Sequence, residues 1–532
     1  MKLVSVAEMK NIEQHAHALG MSYDQMMENA GRGVAGVVLS RYNGTGKNVL
    51  GLIGSGNNGG DTLIALIHLA QAGWTTRAYL VGSRNRKDPL VQRLLDAGGE
   101  AYHIKDDPLH DDLERWLSDA SVLLDGILGT GIKLPLKPDM VEVLNIVRPR
   151  VDHLHVVAVD CPSGVDSDTG EAAPETIPAE LTVCMEAVKR GLLMWPAFEL
   201  VGELQAVVLG LPAEVTELNS IQSEVISADW VQQRLPTRPA QSHKGTFGTA
   251  MLIAGSINYT GAALLAGKSA CRAGTGLVQL AVPGPLYGAL AGHLPEAVWL
   301  ILPHETGVIA ESAADLVLEN LERVTALLVG PGLGLEEVTL QFMRRLLGLR
   351  ESKGPVGFIT ASPAAGSAKK TELPPLVVDA DGLKLLAKIP DWQKILPLNT
   401  VLTPHPGEMS VLTGLSVDEI QSNRITTARH FADQWGHIIV LKGALTVIAS
   451  PDGQFGIIPV ATSALAHAGT GDVLAGLITG LLAQGMTPFE AAAAGAWIHA
   501  QAGVSAANQM GTTASVIASD VCESISRVLR TR

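Results

Sequence analysis

The chain has 532 residues, of which 47% are hydrophobic and 17% charged, and its formal net charge is −14. This composition is typical of a globular protein and excludes a largely disordered chain, and the length exceeds what one hydrophobic core usually serves. The negative charge argues against nucleic acid or an anionic membrane as the main partner.

The cysteines and the first residues indicate the cellular compartment. Four cysteines are widely spaced and form no CxxC pair: Cys161, Cys184, Cys271 and Cys522. This spacing predicts neither a zinc site nor a disulfide framework and favours a reducing compartment. The first ten residues carry charges at Lys2, Glu8 and Lys10, where a signal peptide requires an apolar segment. We therefore expect a cytoplasmic protein that does not span or bind a membrane.

A strand, turn and helix pattern opens the first half of the chain. Residues 49–53 and 77–81 predict strands, 54–60 a glycine-rich turn and 62–72 an amphipathic helix, which together make one βαβ unit. Gly54, Gly56 and Gly59 have the GxGxxG spacing, which alone is weak evidence for a dinucleotide, and the segment adds two amides and an acid at Asn57, Asn58 and Asp61. It therefore favours a polar ligand, or a cation beside a phosphate, over a dinucleotide.

Two further apolar runs each lead to a single acid. Residues 122–124 are followed by Asp125, and residues 156–159 by Asp160. Each acid alone is more often part of a capped turn. Because ligands bind at the carboxyl ends of strands in an open parallel sheet, three such loops predict one shared crevice.

These loops, with the segment 26–31, resemble the NAD(P)H-hydrate epimerase family across about the first 210 residues. The resemblance implies that Asp160 contacts the substrate and transfers a proton at the epimerising carbon. It implies a potassium ion held by Asn58, Asp125 and Ser163, and oxygen ligands suit such a hard cation. The resemblance also implies these contacts to the hydrated coenzyme: Asn57, Asn58, Gly59, Gly60, Asp61, Gly129, Thr130, Gly131, Ile132, Lys133, Leu134, Pro135 and Asp160.

The strand–helix alternation is lost between residues 211 and 244, where prolines accumulate, so we place a domain boundary at about 211–225. The predicted domains are residues 1–215 and 225–532. Strands are expected beyond the boundary at 250–254, 277–281, 326–329, 376–378, 400–402, 438–441 and 446–449. Helical stretches alternate with most of them. The predicted fold class is therefore α/β, with two doubly wound, mostly parallel sheets.

The segment from Gly469 to Asp472 sets a glycine-rich turn, a carboxylate and a helix start side by side. Small residues let backbone N–H groups approach a phosphate, and the helix dipole adds positive potential. Asp472 is then expected in the first helical turn, where it could take a proton from a hydroxyl that attacks the phosphoryl group. The alternative is an ordinary turn with an acidic helix cap.

Two upstream segments add polar groups at predicted strand ends. His405 and Glu408 follow the strand at 400–402, in a loop stiffened by prolines, and Lys442 follows the strand at 438–441. His405 could bond a substrate and Lys442 could meet a nucleotide phosphate. Alternatively, Glu408 only caps the next helix and Lys442 only ends a strand.

The order of these three segments resembles the ribokinase-like superfamily, in which the acid of a Gly-x-Gly-Asp motif is the catalytic base. His405 stands where a sugar kinase of that superfamily has asparagine, and this difference resembles the NAD(P)H-hydrate dehydratase branch. Other segments also resemble that branch: 243–248, 254–262, 273–278, 330–334 and 378–383. Together the resemblance covers residues from about 240 to 485.

The resemblance implies that the second domain restores NADH or NADPH from its hydrate. A nucleotide, ADP, would phosphorylate the ring hydroxyl with Mg²⁺ present, Asp472 would activate that hydroxyl, and phosphate would then be eliminated. The implied contacts to the hydrated coenzyme (NADHX or NADPHX) are Ala262, Gly332, His405 and Asp472. The implied nucleotide contacts are Lys442, Gly443, Ala444, Leu445, Thr446 and Gly471.

The two resemblances together imply one chain that epimerises and dehydrates damaged coenzyme, with a Rossmann-like first domain and a ribokinase-like second domain. They also imply a homo-oligomer, a tetramer or larger. Two alternatives are a ribokinase-type kinase that releases a phosphorylated small molecule and a nucleotide-binding protein without turnover. Physical argument leaves open the choice between ADP and ATP and between the hydrates of NADH and NADPH.

Overall fold

The computed structural model describes residues 1–349 and 372–530, which fall into two units, Met1–Val225 and Ile226–Arg532. Residues 350–371 and 531–532 of the second predicted domain lie outside the described residues. Within the two described ranges, no helix combines the length and the apolar character needed to cross a membrane.

The first unit, which the structure describes throughout, contains ten strands, seven of which form its main parallel sheet. Its strands are β1 (Leu3–Val4), β2 (Asn48–Ile53), β3 (Thr75–Leu80), β4 (Glu100–His103), β5 (Val122–Gly126), β6 (His155–Val159), β7 (Leu181–Met185), β8 (Val188–Lys189), β9 (Glu203–Val207) and β10 (Ser223–Val225). Its helices are α1 (Val6–Ala18), α2 (Tyr23–Tyr42), α3 (Asn57–Gln71), α4 (Pro89–Asp96), α5 (Asp111–Asp119), α6 (Pro138–Val147) and α7 (Glu217–Ser220). The strand order in the main sheet is β4-β3-β2-β5-β6-β7-β9, and every pairing is parallel.

Both faces of this sheet are buried, which explains the continuous apolar runs in its strands. In β2, Val49 and Ile53 belong to the core on one face, whereas Leu50 and Leu52 belong to the core on the other. The alternation follows from the two-residue period of a strand. Helices therefore cover both faces, and the loops at the carboxyl ends of the strands remain available for a ligand.

The predicted turn at 54–60 is wrong in its second half, because helix α3 already begins at Asn57. The glycines there serve close packing within a helix. A side chain on Gly59 would collide with the carbonyl group of Gly54, and one on Gly60 would lie 2.5 Å from the sulfur of Met27. Their flexibility suggested a turn, but tertiary packing decides the conformation.

The second unit has a larger main sheet and a separate, short two-stranded sheet. Its strands are β11 (Thr249–Ile253), β12 (Leu277–Pro283), β13 (Val298–Leu302), β14 (His304–Glu305), β15 (Val308–Ile309), β16 (Ala326–Val329), β17 (Leu376–Val378), β18 (Val401–Leu402), β19 (Ile438–Leu441), β20 (Val447–Ala449) and β21 (Phe455–Ile457). Its helices are α8 (Ala228–Arg234), α9 (Thr260–Arg272), α10 (Gly284–Leu290), α11 (Ala313–Glu319), α12 (Glu337–Leu346), α13 (Asp381–Leu386), α14 (Pro406–Thr413), α15 (Val417–Ser422), α16 (Arg424–Trp435), α17 (Thr470–Ala483), α18 (Pro488–Met510) and α19 (Ala518–Val528).

The order along this sheet is β21-β20-β19-β18-β17-β16-β11-β12-β13. The strands from β19 to β13 in this order are parallel, whereas β20 and β21 run antiparallel to their neighbours. The predicted fold class, α/β with mostly parallel sheets, is confirmed in both units.

Helix α17 packs very closely on α9, and glycine makes this approach possible. A side chain on Gly476 would collide with the carbonyl oxygen of Ala266 and the hydroxyl of Ser269, both on α9. The contact fixes the start of α17, and with it Asp472, relative to the first turn of α9, which carries Ala262.

Candidate active sites

A cavity of about 520 Å³ opens at the carboxyl ends of β2, β5 and β6 in the first unit. The predicted contacts that line it are Asn57, Asn58, Asp61, Gly129, Thr130, Gly131 and Asp160. The other predicted contacts of this unit do not line it: Gly59, Gly60, Ile132, Lys133, Leu134 and Pro135. The three loops predicted to converge therefore do so, although only part of each loop faces the cavity.

Asp160 is held in a fixed orientation next to a buried lysine. Its Oδ1 accepts hydrogen bonds from the Lys189 ammonium at 2.5 Å and from the backbone N–H of Met185 at 2.9 Å. Lys189 is 1% exposed and also donates to the carbonyl oxygen of Met185. Burial alone would lower the pKa of Lys189, but the Asp160 carboxylate outweighs it and raises that pKa. The pair is a strong, desolvated ion pair at the cavity wall.

Two other carboxyl groups face the same cavity, Asp61 on α3 and Glu13 on α1. Burial, reinforced by the negative charges of Asp160 and Glu13, raises the pKa of Asp61 well above its usual range. Burial also raises the pKa of Glu13, although the Lys189 charge opposes this shift. Lys189, the lysine buried in the cavity wall, is paired with Asp160 rather than with these two acids.

The predicted potassium ligands lie together beside this cavity. Asp125 is fully buried, and its carboxylate accepts from the Ser163 backbone N–H at 2.7 Å and from the Ser163 hydroxyl at 2.5 Å. The Asn58 amide donates to the carbonyl oxygens of Leu128 and Val159. Burial raises the pKa of Asp125, whereas the hydrogen bonds from Ser163 act in the opposite direction. No basic side chain of the described residues pairs with Asp125, so its surroundings fit a bound monovalent cation.

In the second unit, three charged groups converge where β17, β18 and β19 end. Lys442 Nζ lies 2.7 Å from Asp379 Oδ1 and 3.5 Å from Glu408 Oε2, and both carboxyl groups are buried. Burial alone would lower the pKa of Lys442, but these two carboxylates raise it. Thr403 also donates a hydrogen bond to Asp379. Lys442 therefore belongs to a cluster of buried charges and does not merely end a strand.

Asp472 lies in the first turn of α17, as predicted, and Gly469 in the left-handed conformation precedes that helix. Burial, followed by the negative charge of Asp379, raises the pKa of Asp472 to about 7. The positive charge of Lys442 acts in the opposite direction. A carboxyl group with a pKa near neutrality can serve as a general base at physiological pH.

His405 both caps a helix and faces a cavity. Its Nδ1 accepts from the backbone N–H groups of Gly407 and Glu408, and the Glu408 carboxylate accepts from the His405 backbone N–H. This reciprocal arrangement is a capping box, so the capping interpretation of Glu408 is correct. The imidazole is nevertheless about half exposed at the mouth of the second cavity.

This second cavity, of about 380 Å³, is lined by five of the six predicted nucleotide contacts: Lys442, Gly443, Ala444, Thr446 and Gly471. Leu445 differs, since it is 5% exposed and does not line the cavity. Ile458, Val460 and Leu465 form an apolar wall. The charged part of the cavity suits the phosphates of a nucleotide, and the apolar wall suits its base.

Ala262 and Gly332 lie next to each other but outside this cavity. Gly332 has a left-handed φ of 64°, and a side chain there would lie 2.9 Å from the Ala262 Cβ and 2.7 Å from the Tyr259 Cβ. They form a separate surface where β11 and β16 end.

Sequence reasoning missed several groups that the structure places in or beside these cavities. Lys189 follows an apolar run and carries no motif, and only the fold brings it to Asp160. His499 lines the second cavity from the middle of α18, and its buried Nε2 has no hydrogen-bond partner in the part of the chain that the structure describes. The segment around His499 is rich in alanine and carries no motif that would indicate a ligand.

Family models match both halves of the chain. The model described as NAD(P)H-hydrate dehydratase matches residues 250–527, and the model described as YjeF-related protein N-terminus matches residues 23–191. The bifunctional NAD(P)H-hydrate repair enzyme Nnr of Moorella thermoacetica is 34% identical, and the match covers 100% of this chain and 97% of that protein. The enzyme of the same name from Escherichia coli is 31% identical, with 97% and 91% covered.

A solved structure is also similar to the second half. The crystal structure of the ADP/ATP-dependent NAD(P)H-hydrate dehydratase from Bacillus subtilis, co-crystallised with ATP and Mg²⁺, has 31% sequence identity and a TM-score of 0.47. The match covers 58% of this chain and 98% of that protein.

Proposed function

The chain belongs to the family of bifunctional NAD(P)H-hydrate repair enzymes, and we propose that its first unit epimerises the hydrated coenzyme while its second unit dehydrates one epimer at the expense of ADP. Family membership makes the chain an isomerase and a lyase. The division of labour assigns residues 1–215 to the epimerase and 225–532 to the dehydratase. The observation that carries the dehydratase assignment is Asp472, with a pKa of about 7, at the start of α17 beside Lys442.

Asp472 acts as the general base of the dehydratase. It takes the proton of the ring hydroxyl while that oxygen attacks the terminal phosphoryl group of ADP, releasing AMP. The carbon–oxygen bond then breaks and phosphate leaves with the bonding electrons, the neighbouring ring carbon loses a proton to water, and the dihydronicotinamide double bond forms again. Hydroxide is a poor leaving group and phosphate a good one, which explains the coupling to a nucleotide.

Lys442 and Gly471 would hold the nucleotide phosphates. A side chain on Gly471 would lie 3.6 Å from Lys442 Nζ, so the free N-terminus of α17 and the ammonium face the same space. The adenosine would follow the wall from Gly443 to Thr446. Ala262, Gly332 and, at the mouth of the cavity, His405 would contact the hydrated coenzyme.

Mg²⁺ is proposed as the ion that accompanies ADP. Among the described residues there is no group of three or more His, Cys, Asp or Glu side chains able to hold a metal. Mg²⁺ often keeps several waters and binds through substrate phosphates with one or two carboxylates, so it suits a site of this kind. When bound, it would neutralise charge on the phosphoryl group.

In the epimerase, Asp160 would contact the substrate and transfer a proton, held in place by Lys189. A potassium ion on Asn58, Asp125 and Ser163 would fix the loops after β5 and β6. The epimerase then serves the dehydratase, because hydration gives two epimers, (R) and (S), and the dehydratase accepts only the (S) form. Both parts of the damaged pool are recovered.

Two assays test this function. The full chain is incubated with each purified epimer of NADHX, with ADP and Mg²⁺, and the absorbance of the reduced coenzyme is followed. We expect it to return from both epimers; absence of recovery from either would refute the proposal. Release of a stable phosphorylated product would favour a ribokinase-type kinase instead, and binding of ADP without turnover would favour a nucleotide-binding protein.

The second assay separates the two units. Asp160→Ala should slow recovery of the (R) epimer and spare recovery of the (S) epimer, whereas equal loss on both would contradict the division of labour. We further propose a cytoplasmic homo-oligomer, a tetramer or larger, that acts on NADHX, NADPHX and ADP. Light scattering during size-exclusion chromatography measures its mass.

A further inference from the structure

Asp61 differs from Asp160, another acid of the epimerase cavity, in its hydrogen bonding. It is 7% exposed and lines the cavity from the second turn of α3. Among the described residues, none donates a hydrogen bond to its carboxyl group. The ammonium of Lys189 is committed to Asp160 and to the carbonyl oxygen of Met185.

The two acids therefore have opposite environments within one cavity. Asp160 has a cation and a backbone N–H on Oδ1, whereas Asp61 has neither and feels the negative charges of Asp160 and Glu13. Burial and these charges favour the neutral form of Asp61. A neutral carboxyl group beside an ionised one is the arrangement that supplies both a proton donor and a proton acceptor.

The substrate needs such a pair at the carbon that inverts. In hydrated NADH or NADPH, the hydroxyl and the ring nitrogen are bonded to the same carbon. If the hydroxyl leaves as water, the nitrogen lone pair forms a C=N⁺ bond, and water can then add from either face. The departing oxygen requires a proton, and the resulting cation is stabilised by a nearby carboxylate.

We propose that Asp61 is a second catalytic residue of the epimerase, the acid that protonates the departing ring hydroxyl, with Asp160 on the opposite face of the ring. The inference rests on the epimerase function proposed above. The Asp61 O–H proton passes to the hydroxyl oxygen, and the C–O bond breaks with its electron pair going to that oxygen. Water then bonds to the carbon on the other face, the C=N pair returns to nitrogen, and Asp160 takes the proton that this water loses. Solvent returns a proton to Asp61 and removes one from Asp160, so the enzyme is restored.

Asp61→Asn tests the assignment, because the amide keeps the size and polarity of the side chain but lacks the acidic proton. We expect kcat for interconversion of the epimers to fall by about 100-fold or more, with KM changed less than about threefold. The full chain is used, and recovery of the (S) epimer by the dehydratase should stay at the wild-type rate, which shows that the second unit is unaffected. An unchanged circular-dichroism spectrum and unfolding curve show that the first unit is folded.

Glu13→Gln is the comparison variant, since Glu13 is a half-buried acid that faces the same cavity. Because it removes only one of the negative charges around Asp61, we expect interconversion to fall far less than in Asp61→Asn, by less than about tenfold. A large loss in Glu13→Gln with activity kept in Asp61→Asn would overturn the proposal. A rise in KM with unchanged kcat in Asp61→Asn would also overturn it, because that result assigns Asp61 to binding alone.

The pH profile supplies an independent readout. After subtraction of the uncatalysed rate, wild-type kcat/KM should fall as pH rises and Asp61 ionises, and the residual rate of Asp61→Asn should lack this decline. The other titratable groups that face the cavity are Lys10, Glu13, Tyr23, Lys137, Asp160 and Lys189. Persistence of the same decline in Asp61→Asn would assign it to one of them and overturn the proposal. If the wild type itself does not accelerate interconversion, the epimerase function fails, whichever result the variants give.

Discussion

Lys442 and Asp379 form an ion pair, with 2.7 Å between Nζ and Oδ1, directly beside Gly471 in the first turn of α17. Glu408 is a second carboxylate on the same ammonium, at 3.5 Å. The surroundings of Asp472 therefore contain more negative than positive charge. This excess contributes to the raised pKa of Asp472 and predicts that a nucleotide binds only with a compensating cation.

The first prediction concerns removal of the cation. Lys442→Met leaves Asp379 and Glu408 buried without their positive partner, so the free energy of unfolding should fall by about 3 kcal/mol or more. Urea unfolding measures this change. Lys442→Arg keeps the charge and should cost less. Combining Lys442→Met with Asp379→Asn should recover part of the loss, and no recovery would mean that the charge pair is not the cause.

The second prediction separates the two activities at Asp472. Asp472→Asn removes the base and should lower the dehydratase kcat by at least about 100-fold. Epimer interconversion by the first unit should be unchanged, and retained binding of ADP serves as the control for folding of the second unit. Retention of ADP-dependent recovery of the (S) epimer would show that another group is the base.

The third prediction follows from the Asp472 pKa of about 7. A general base acts in its ionised form, so dehydratase kcat/KM should increase with pH through about 7 and level off above it. Below that pH the rate should fall about tenfold per pH unit. A rate independent of pH between 5.5 and 8.5 would contradict the assignment.

Much of the fold and part of each site follow from the sequence. The strands at Ala326–Val329, Leu376–Val378 and Ile438–Leu441 have the predicted bounds, because continuous apolar runs identify strands buried on both faces. Parallel strands then bring their carboxyl ends together, so Asp125, Asp160 and Lys442 could be assigned to strand ends without knowledge of their contacts.

The remaining features depend on tertiary contacts that leave no local signal. Lys189 is buried because Asp160 is there to pair with it, although the two are 29 residues apart. Helix α3 includes Gly59 and Gly60, where a side chain would collide with Gly54 and Met27, respectively. Neither fact can be derived from propensity or periodicity.

The fourth prediction concerns the packing that positions Asp472. Gly476→Ala places a methyl group against the Ala266 carbonyl oxygen, so α17 must move away from α9. We expect a loss of about 1–3 kcal/mol in the free energy of unfolding and a lower dehydratase kcat. Gly288→Ala in α10 is the matched control, since its side chain would meet open space, and it should leave both quantities unchanged. Equal effects in the two variants would contradict the packing explanation.

The fifth prediction concerns the cation proposed at Asp125. A buried carboxylate without a basic partner is costly, and a bound monovalent cation removes that cost, so K⁺ should stabilise the first unit. At a concentration 100 times its Kd, the expected gain is about 2.7 kcal/mol. Thermal unfolding in KCl is compared with unfolding in choline chloride at equal ionic strength. Asp125→Asn removes the negative charge and should abolish the difference between the two salts, whereas Asp166→Asn, which changes a partly exposed acid in the loop after Ser163, should retain it. An equal K⁺ effect in wild type and Asp125→Asn would place the cation elsewhere.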